Sequence, residues 1–438
     1  MRHDRIAVAL ALLVFAMSAV APVAHAQERV IDIFRPDKVV HPVAIPPFEV
    51  GAGADPKLAA ALSDAIAKDL EFTGLFKRVD PAAYLERPGT VKPDGTGTKW
   101  DDWTVLKASL LVRGAVRVDA GKLVAKVWVF NVADGKKLGE SPANETPDRA
   151  WLLAHKLADA AYEIATGEKS IFSSRLAFIN NRTGNKEVFT ALFDGSRDVG
   201  VTKNRSINLS PSWSPDGSKI SFTSYVRNHP DLYFYDRKGD KFFRISDRAG
   251  INIGGVWSPH GRVMAATLSS EGGNPDIYLM GEDGKGAKRL TDHFASDVSP
   301  SWSPDATQIA FVSDRGGSPN VYLLKVDEKE AKRITFDSNG TGKDHQSPSW
   351  SPRGDRIAFQ SRIGGAWQVL TMKPDGSEVR QLTAQGNNED PVWSPDGRLI
   401  AFIHDGKIWV MEADGTNARQ ILGSGSSSNV SWSPRLAW

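Results

Sequence analysis

Apolar and polar positions alternate along this chain with two different periods. At residues 56–70, Leu58, Leu62, Ile66 and Leu70 recur every four residues, which places them on one face of a helix. Asp55-Pro56 supplies an N-cap and a first-turn proline, and Gly74 a stop. A second helix is predicted from Thr146-Pro147, with Trp151, Leu153, Leu157, Ala160, Ala161 and Ile164 as its apolar stripe and Gly167 at its end. Between the helices the period shortens to two. Residues 43–48 read as a strand ending at Pro46-Pro47. Residues 110–118 and 123–132 read as strands joined by a turn at Gly121, and residues 88–99 read as loop. Val127 and Val129 alternate with Lys126, Trp128 and Phe130, so both faces of that strand hold apolar groups and part of each is expected to be covered. Asp134-Gly135 marks another hairpin.

From Ile171 onward the two-residue period persists, with a longer repeat laid over it. Trp213-Ser214-Pro215-Asp216-Gly217 returns as Trp257-Ser258-Pro259-His260-Gly261 and as Trp302-Ser303-Pro304-Asp305-Ala306. It returns again as Trp350-Ser351-Pro352-Arg353-Gly354 and Trp393-Ser394-Pro395-Asp396-Gly397, and a truncated copy, Trp432-Ser433-Pro434, lies near the end. Consecutive tryptophans are 44, 45, 48, 43 and 39 residues apart, a propeller-blade period. In each unit a tryptophan strand enters a turn whose glycine takes a positive φ. A second strand follows, such as Ile220-Ser221-Phe222 or Ile400-Ala401-Phe402, then a third, such as Leu232-Tyr233 or Ile408-Trp409. A fourth ends in Arg289-Leu290-Thr291, Arg333-Ile334-Thr335 or Gln381-Leu382-Thr383. Four strands make one blade. Leu176-Ala177-Phe178, Val188-Phe189-Thr190 and Val199-Gly200-Val201-Thr202 form a unit without its own tryptophan strand, and Val430-Ser431-Trp432 is a tryptophan strand without a unit. Joined, they close a ring of six blades and remove two open edges. Ala306 stands where most copies have glycine, so that turn is expected to take a different shape.

The fold class is therefore multidomain: a small α/β N-terminal domain followed by a six-bladed β-propeller closed by the C-terminal strand. The first residues add an export signal. Arg2 and Arg5 precede an apolar run over residues 6–20, and Ala24-His25-Ala26 is a cleavage site. The expected organisation is a signal peptide at 1–26, a segment at 27–41, the α/β domain at 42–167 and the propeller at 168–438. The chain has no cysteine, so stability must come from packing without disulfides. With 54 basic and 52 acidic side chains, and no basic run, neither nucleic acid nor a membrane surface is an expected partner.

Composition and motifs offer little chemistry. No G-x-S-x-G, H-E-x-x-H or P-loop is present. His155, His229, His260, His293, His345 and His404 are isolated in sequence. Their convergence on the ring axis, as a periplasmic metal-dependent lactonase or hydrolase centre in the channel, is the alternative reading. The main expectation is a non-enzymatic binding platform without catalytic residues, metal or cofactor. Short Pro-Asp-Gly and Asp-Gly turns share one face of the ring, and longer irregular loops share the other, where binding usually resides. Residues preceding the tryptophan strands on that face are the candidate mouth residues: Asn208, Asn252, Asp297, His345, Glu389 and Asn429. Val30, Ile31, Asp32, Ile33, Phe34 and Arg35 are apolar and β-prone beside the new N-terminus. They read either as a strand packed on the same protein or as a peptide offered to a partner by strand addition.

A signal peptide, a small α/β domain and six Trp-Ser-Pro-Asp-Gly blades, with no hydrolase domain, together resemble the TolB family of the periplasmic Tol–Pal system. The resemblance covers essentially the whole mature chain and includes the passage from Gly167 through Ile171-Phe172 to Leu176-Ala177-Phe178. It implies a periplasmic scaffold that binds the peptidoglycan-associated lipoprotein Pal through the propeller mouth. It also implies TolA binding by the segment Val30 to Arg35, which favours the partner-peptide reading. The implied role is support of outer-membrane invagination during cell division and of outer-membrane integrity. The implied state is a monomer within a multiprotein envelope complex, with no direct membrane insertion.

Overall fold

The structure is a computed structural model, and it describes residues 39–86, 89–337 and 342–436. The signal-peptide residues and Val30 to Arg35 lie outside the described residues.

Helix α1 (Pro56–Phe72) starts at its predicted cap: Asp55 Oδ1 accepts a hydrogen bond from the Lys57 amide at 2.8 Å. It buries Leu62, Ile66 and Leu70, and the chain then turns through Gly74 at φ 71°. Helix α2 (Trp100–Val105) has no stripe to betray it, since it spans six residues and buries only Trp103. Helix α3 (Ala150–Thr166) follows a 3₁₀ turn at Pro147–Arg149 and ends at Gly167, left-handed at φ 73°. These helices cover a mixed sheet. Its strands run in the order Phe76–Arg78, His41–Ala44, Leu110–Asp119, Lys122–Asn131, Lys137–Glu145, and Glu49–Val50 also pairs with Leu110–Asp119. Helices α1 and α3 lie over the face bearing Val127 and Val129. Trp103 of α2 packs on the other face with Phe130, Leu111 and Ala44. Both faces of residues 122–131 are thus covered, for the reason that the alternation of apolar groups on both sides requires.

The remaining chain forms six four-stranded antiparallel sheets. Blade I takes its innermost strand, Ser427–Trp432, from the end of the chain and pairs it with Arg175–Asn180. The innermost strands of blades II to VI are Asn208–Trp213, Asn252–Trp257, Asp297–Trp302, Lys343–Trp350 and Asn388–Trp393. The six tryptophans are only 5–8 % exposed. Each lies between blades: Trp213, for example, packs with Ala177, Ile179 and Val188 of blade I as well as Ile220 and Phe222 of its own.

The turn at Ala306 departs from expectation. Ala306 keeps the left-handed conformation at φ 58°, and its amide donates to Ser303 O at 2.9 Å. Gly217 does the same with Ser214 O at 2.8 Å. The hydrogen-bonded turn, tied further by Asp305, overrides the conformational preference of alanine.

The two regions share one core. Phe72 of α1 meets Phe193 of blade I edge to face at 4.9 Å between ring centres. Asp159 of α3 is buried, accepts the Ser170 and Ser173 hydroxyls of the junction, and lies 3.2 Å from the Arg435 guanidinium. Burial raises the Asp159 pKa, against the opposing charge of Arg435 and the two serine hydrogen bonds. The chain end is thereby tied to the last helix of the first domain.

Candidate functional site

The innermost strands share one local irregularity. In every blade the ladder to the second strand shifts register about three residues before the tryptophan. The residue at that point is left-handed each time: Ser210 at φ 50°, Gly254 at 64°, Ser299 at 55°, Ser347 at 50°, Asp390 at 50° and Asn429 at 48°. Four of them precede a proline (Pro211, Pro300, Pro348 and Pro391), which cannot donate to the ladder. The result is a β-bulge repeated around the axis. Five non-glycine residues held in this conformation mark a place where local geometry has been traded for something else.

These bulges line the axial channel, a cavity of about 210 Å³ to which all six blades contribute. Two residues further along each strand the wall is small and mostly hydroxylic, with Ser212, Ser301, Ser349 and Ser431 in four blades and Val256 and Val392 in the other two. The rim is acidic on one side only. The Asp390 carboxylate accepts the Asn429 amide at 2.9 Å and the Ser347 hydroxyl at 3.1 Å, so it ties three blades together. Glu389 is half-buried beside it, and its pKa is raised by burial and then by the charges of Asp390 and Asp405.

Of the candidate mouth residues, Asn429 lines the channel and Glu389 precedes the channel-lining Asp390, each half-buried. The structure puts Asn208, Asn252, Asp297 and His345 elsewhere, at 0 % exposure, five residues before their tryptophans. Asn208 Nδ2 donates to Lys186 O at 2.8 Å, and Asn252 Nδ2 to Arg248 O at 2.7 Å. Asp297 receives both contacts of Arg315 Nη2, at 2.9 and 2.8 Å. His345 packs edge to face on Phe359, and burial lowers its pKa, so it is neutral near pH 7. Asn208 and Asn252 thus pin the loops that enter their blades, Asp297 holds Arg315 in a loop of its own blade, and His345 fills buried space without a side-chain hydrogen bond. Equivalence by loop position missed the bulge, whereas counting back from each tryptophan finds it, and the Ser-Pro and Asp-Pro pairs inside a strand pattern were its signal. Ser210, Gly254, Ser299, Ser347 and Asp390 are the rim residues that loop-based reading left out.

Among the described residues no group of three or more His, Cys, Asp or Glu is placed to hold a metal ion, and no helix is long and apolar enough to cross a membrane. Among the described residues that line the channel there is no histidine, and the Ser347 hydroxyl donates to Asp390 at 3.1 Å. Such an arrangement offers a shaped polar ring for contact.

Comparison with known proteins agrees with this architecture. Residues 29–138 match the TolB amino-terminal domain, and residues 162–436 match the TolB beta propeller domain. The chain is 37 % identical to the Tol-Pal system protein TolB of Desulfosudis oleivorans over 57 % of each chain. It is 36 % identical to that of Anaeromyxobacter dehalogenans over 67 % of each. These alignments therefore span roughly three-fifths to two-thirds of the relatives' lengths. The crystal structure of TolB from Acinetobacter baumannii superposes with a TM-score of 0.77 at 25 % identity, covering 91 % of this chain and 98 % of that one. With an α/β domain, a ring closed by its own C-terminal strand, and both characteristic regions matched in order, the chain belongs to the TolB family.

Proposed function

We propose that this protein is a non-catalytic periplasmic scaffold of the Tol–Pal system that binds the lipoprotein Pal at the ring of left-handed bulges. TolA is bound by the segment Val30 to Arg35, at the start of a chain organised as signal peptide, partner segment, α/β domain and propeller. The role is support of outer-membrane invagination and integrity. The observation that carries the reading is the six-fold bulge at the channel mouth. It presents a rigid polar ring, and rigid scaffolds with irregular tips are where recognition concentrates. The names of the relatives point to the same system. The acidic sector at Glu389 and Asp390 sets the orientation of a partner whose contacting surface is basic or rich in donors.

The test uses residues at or next to the rim and spares the buried ones. Ser299→Arg and Glu389→Lys are each expected to weaken binding of soluble Pal at least tenfold in calorimetry, about 1.4 kcal/mol, with the melting temperature unchanged. Unaltered affinity in both variants would move the Pal site off the mouth. A chain starting at Asp37 is expected to lose TolA in a pulldown while keeping Pal.

A further inference from the structure

Four loops on the mouth face around blades I and II, residues 181–187, 201–208, 225–231 and 244–252, hold a set of uncompensated cations. Lys186, Lys203, Arg205, Arg227 and Arg248 are all exposed, and none of these side chains has an ion pair or hydrogen bond among the described residues. The acids of the same loops are already engaged. Glu187 is buried and accepts the Arg205 amide at 2.8 Å. Asp231 is buried and lies 3.0 Å from His229 Nδ1 and 3.6 Å from the Arg244 guanidinium. Asp247 meets the other arm of Arg244 at 2.9 Å.

Hydrogen bonds between the loops gather these cations from separate parts of the chain. The Asn208 amide donates to Lys186 O at 2.9 Å, and the Tyr225 amide to Ile207 O at 2.9 Å. Asn204 Nδ2 donates to Ser224 Oγ at 3.1 Å, and Asn252 Nδ2 to Arg248 O at 2.7 Å. Arg205 itself is left-handed at φ 55°, held there by the Glu187 carboxylate. A non-glycine residue fixed in that conformation is a mark of geometry kept for contact. The cations thus stand on a braced surface, which lowers the ordering cost of binding.

Ile207 and Val226 lie on these same loops, 49 % and 44 % exposed. Cations interleaved with open apolar side chains match an acidic surface that also carries aliphatic groups. The same face bears the opposite sign elsewhere: Glu389, Asp390 and Asp405 belong to blade VI, two blades round the ring from blade II. A flat anionic bilayer laid on this face would meet both signs. The pattern therefore selects a protein whose own charges stand in matching places.

We propose that these loops form a basic sector of the docking face and bind an acidic, partly aliphatic surface of a protein seated at the channel mouth. This rests on reading the mouth as the docking face. Together with the acidic sector of blade VI, the basic sector sets the rotation of the partner about the ring axis. Its exposed charges act before contact and speed the encounter.

The probe is soluble Pal, with association and dissociation rates measured by stopped flow on the full mature chain at low and high salt. The double variant Lys203→Glu, Arg227→Glu changes two exposed side chains. It is expected to slow association at least tenfold at low salt and to flatten its salt dependence, with dissociation and melting temperature nearly unchanged. Lys285→Glu, in an exposed turn on the opposite face, is expected to change none of these. Normal association by the double variant, while Ser299→Arg or Glu389→Lys weakens binding, would overturn the basic sector and leave the mouth reading standing. If neither set changes binding, the mouth reading fails and this one with it. Sedimentation with phosphatidylglycerol vesicles is the second arm: vesicle binding by the unaltered chain that the double variant loses would assign the cations to a membrane surface and overturn the proposal.

Discussion

Removing the indole that closes the ring tests the architecture most directly. Trp432 is 8 % exposed and its Nε1 donates to Ser174 Oγ at 2.8 Å, across the seam between the first and last strands of the propeller. A buried tryptophan removes about 150–250 Å² from water, which at about 25 cal/mol per Å² gives roughly 4–6 kcal/mol as an upper value. Loss of the hydrogen bond adds about 1 kcal/mol. Partial collapse of the site offsets some of this, and measured Trp→Ala losses fall at about 3–5 kcal/mol. Trp432→Ala is therefore expected to lose about 4 kcal/mol, a large share of a typical stability of about 5–15 kcal/mol. Trp213 is the internal control: it is equally buried, but its Nε1 has no hydrogen-bond partner. Trp213→Ala is expected to cost about 1 kcal/mol less than Trp432→Ala. Urea unfolding followed by far-ultraviolet circular dichroism gives both differences at constant slope. A loss under about 1.5 kcal/mol for Trp432→Ala would refute the claim that this strand closes the ring.

Three further outcomes follow from the same geometry. Ala306→Gly relieves a left-handed alanine, worth about 1 kcal/mol, partly offset by the added freedom of the unfolded chain; a net gain of a few tenths of a kcal/mol is expected in thermal melts, and a loss would contradict it. Asp297→Ala leaves the nearby Arg315 guanidinium without its carboxylate and is expected to cost about 3 kcal/mol by urea unfolding, in contrast to the neutral change at Glu389. The buried pair His155–Asp69, 2.7 Å apart, sets a pH dependence. Burial works to lower the His155 pKa, but the hydrogen bond and charge of Asp69, with Asp194 and Asp159, outweigh it and raise the value above 6.5. Burial raises Asp69 to about 6 despite His155. Both groups bind protons more tightly in the folded state, so the stability they contribute is full at low pH and falls as pH rises through their folded pKa values. In Asp69→Asn, burial loses its main opponent and only the weaker charges of Asp194 and Asp159 oppose it, so the His155 pKa is expected to fall, as read by NMR titration of the imidazole; an unchanged value would remove the pair as the cause.

Much of the fold could be read without coordinates because repetition turns weak local signals into strong ones. One Trp-Ser-Pro-Asp-Gly turn means little; six at blade spacing specify the ring, and the unmatched Trp432 specifies how it closes. Helices α1 and α3 were legible from their stripes and caps, whereas α2 was not, since six residues are too few for a period to show. At the candidate site the chain alone went less far. Of the six residues it picked by loop position, only Asn429 is a bulge residue that lines the channel, and four are buried.

What the amino-acid order determined by itself was therefore the periodic part: two helical stripes, the four-strand blade, the number of blades and the partner of the last strand. Only the tertiary structure decided which polar groups meet solvent at the mouth. Side chains on a strand alternate faces, and a bulge of one residue exchanges those faces. Whether Asn208 or Ser210 lines the channel therefore depends on where the ladder slips, and on whether a carbonyl or carboxylate from the neighbouring blade is there to receive the buried amide. The Ser-Pro and Asp-Pro pairs hint at the slip, but the partner that receives the buried amide is fixed only when the blades pack together.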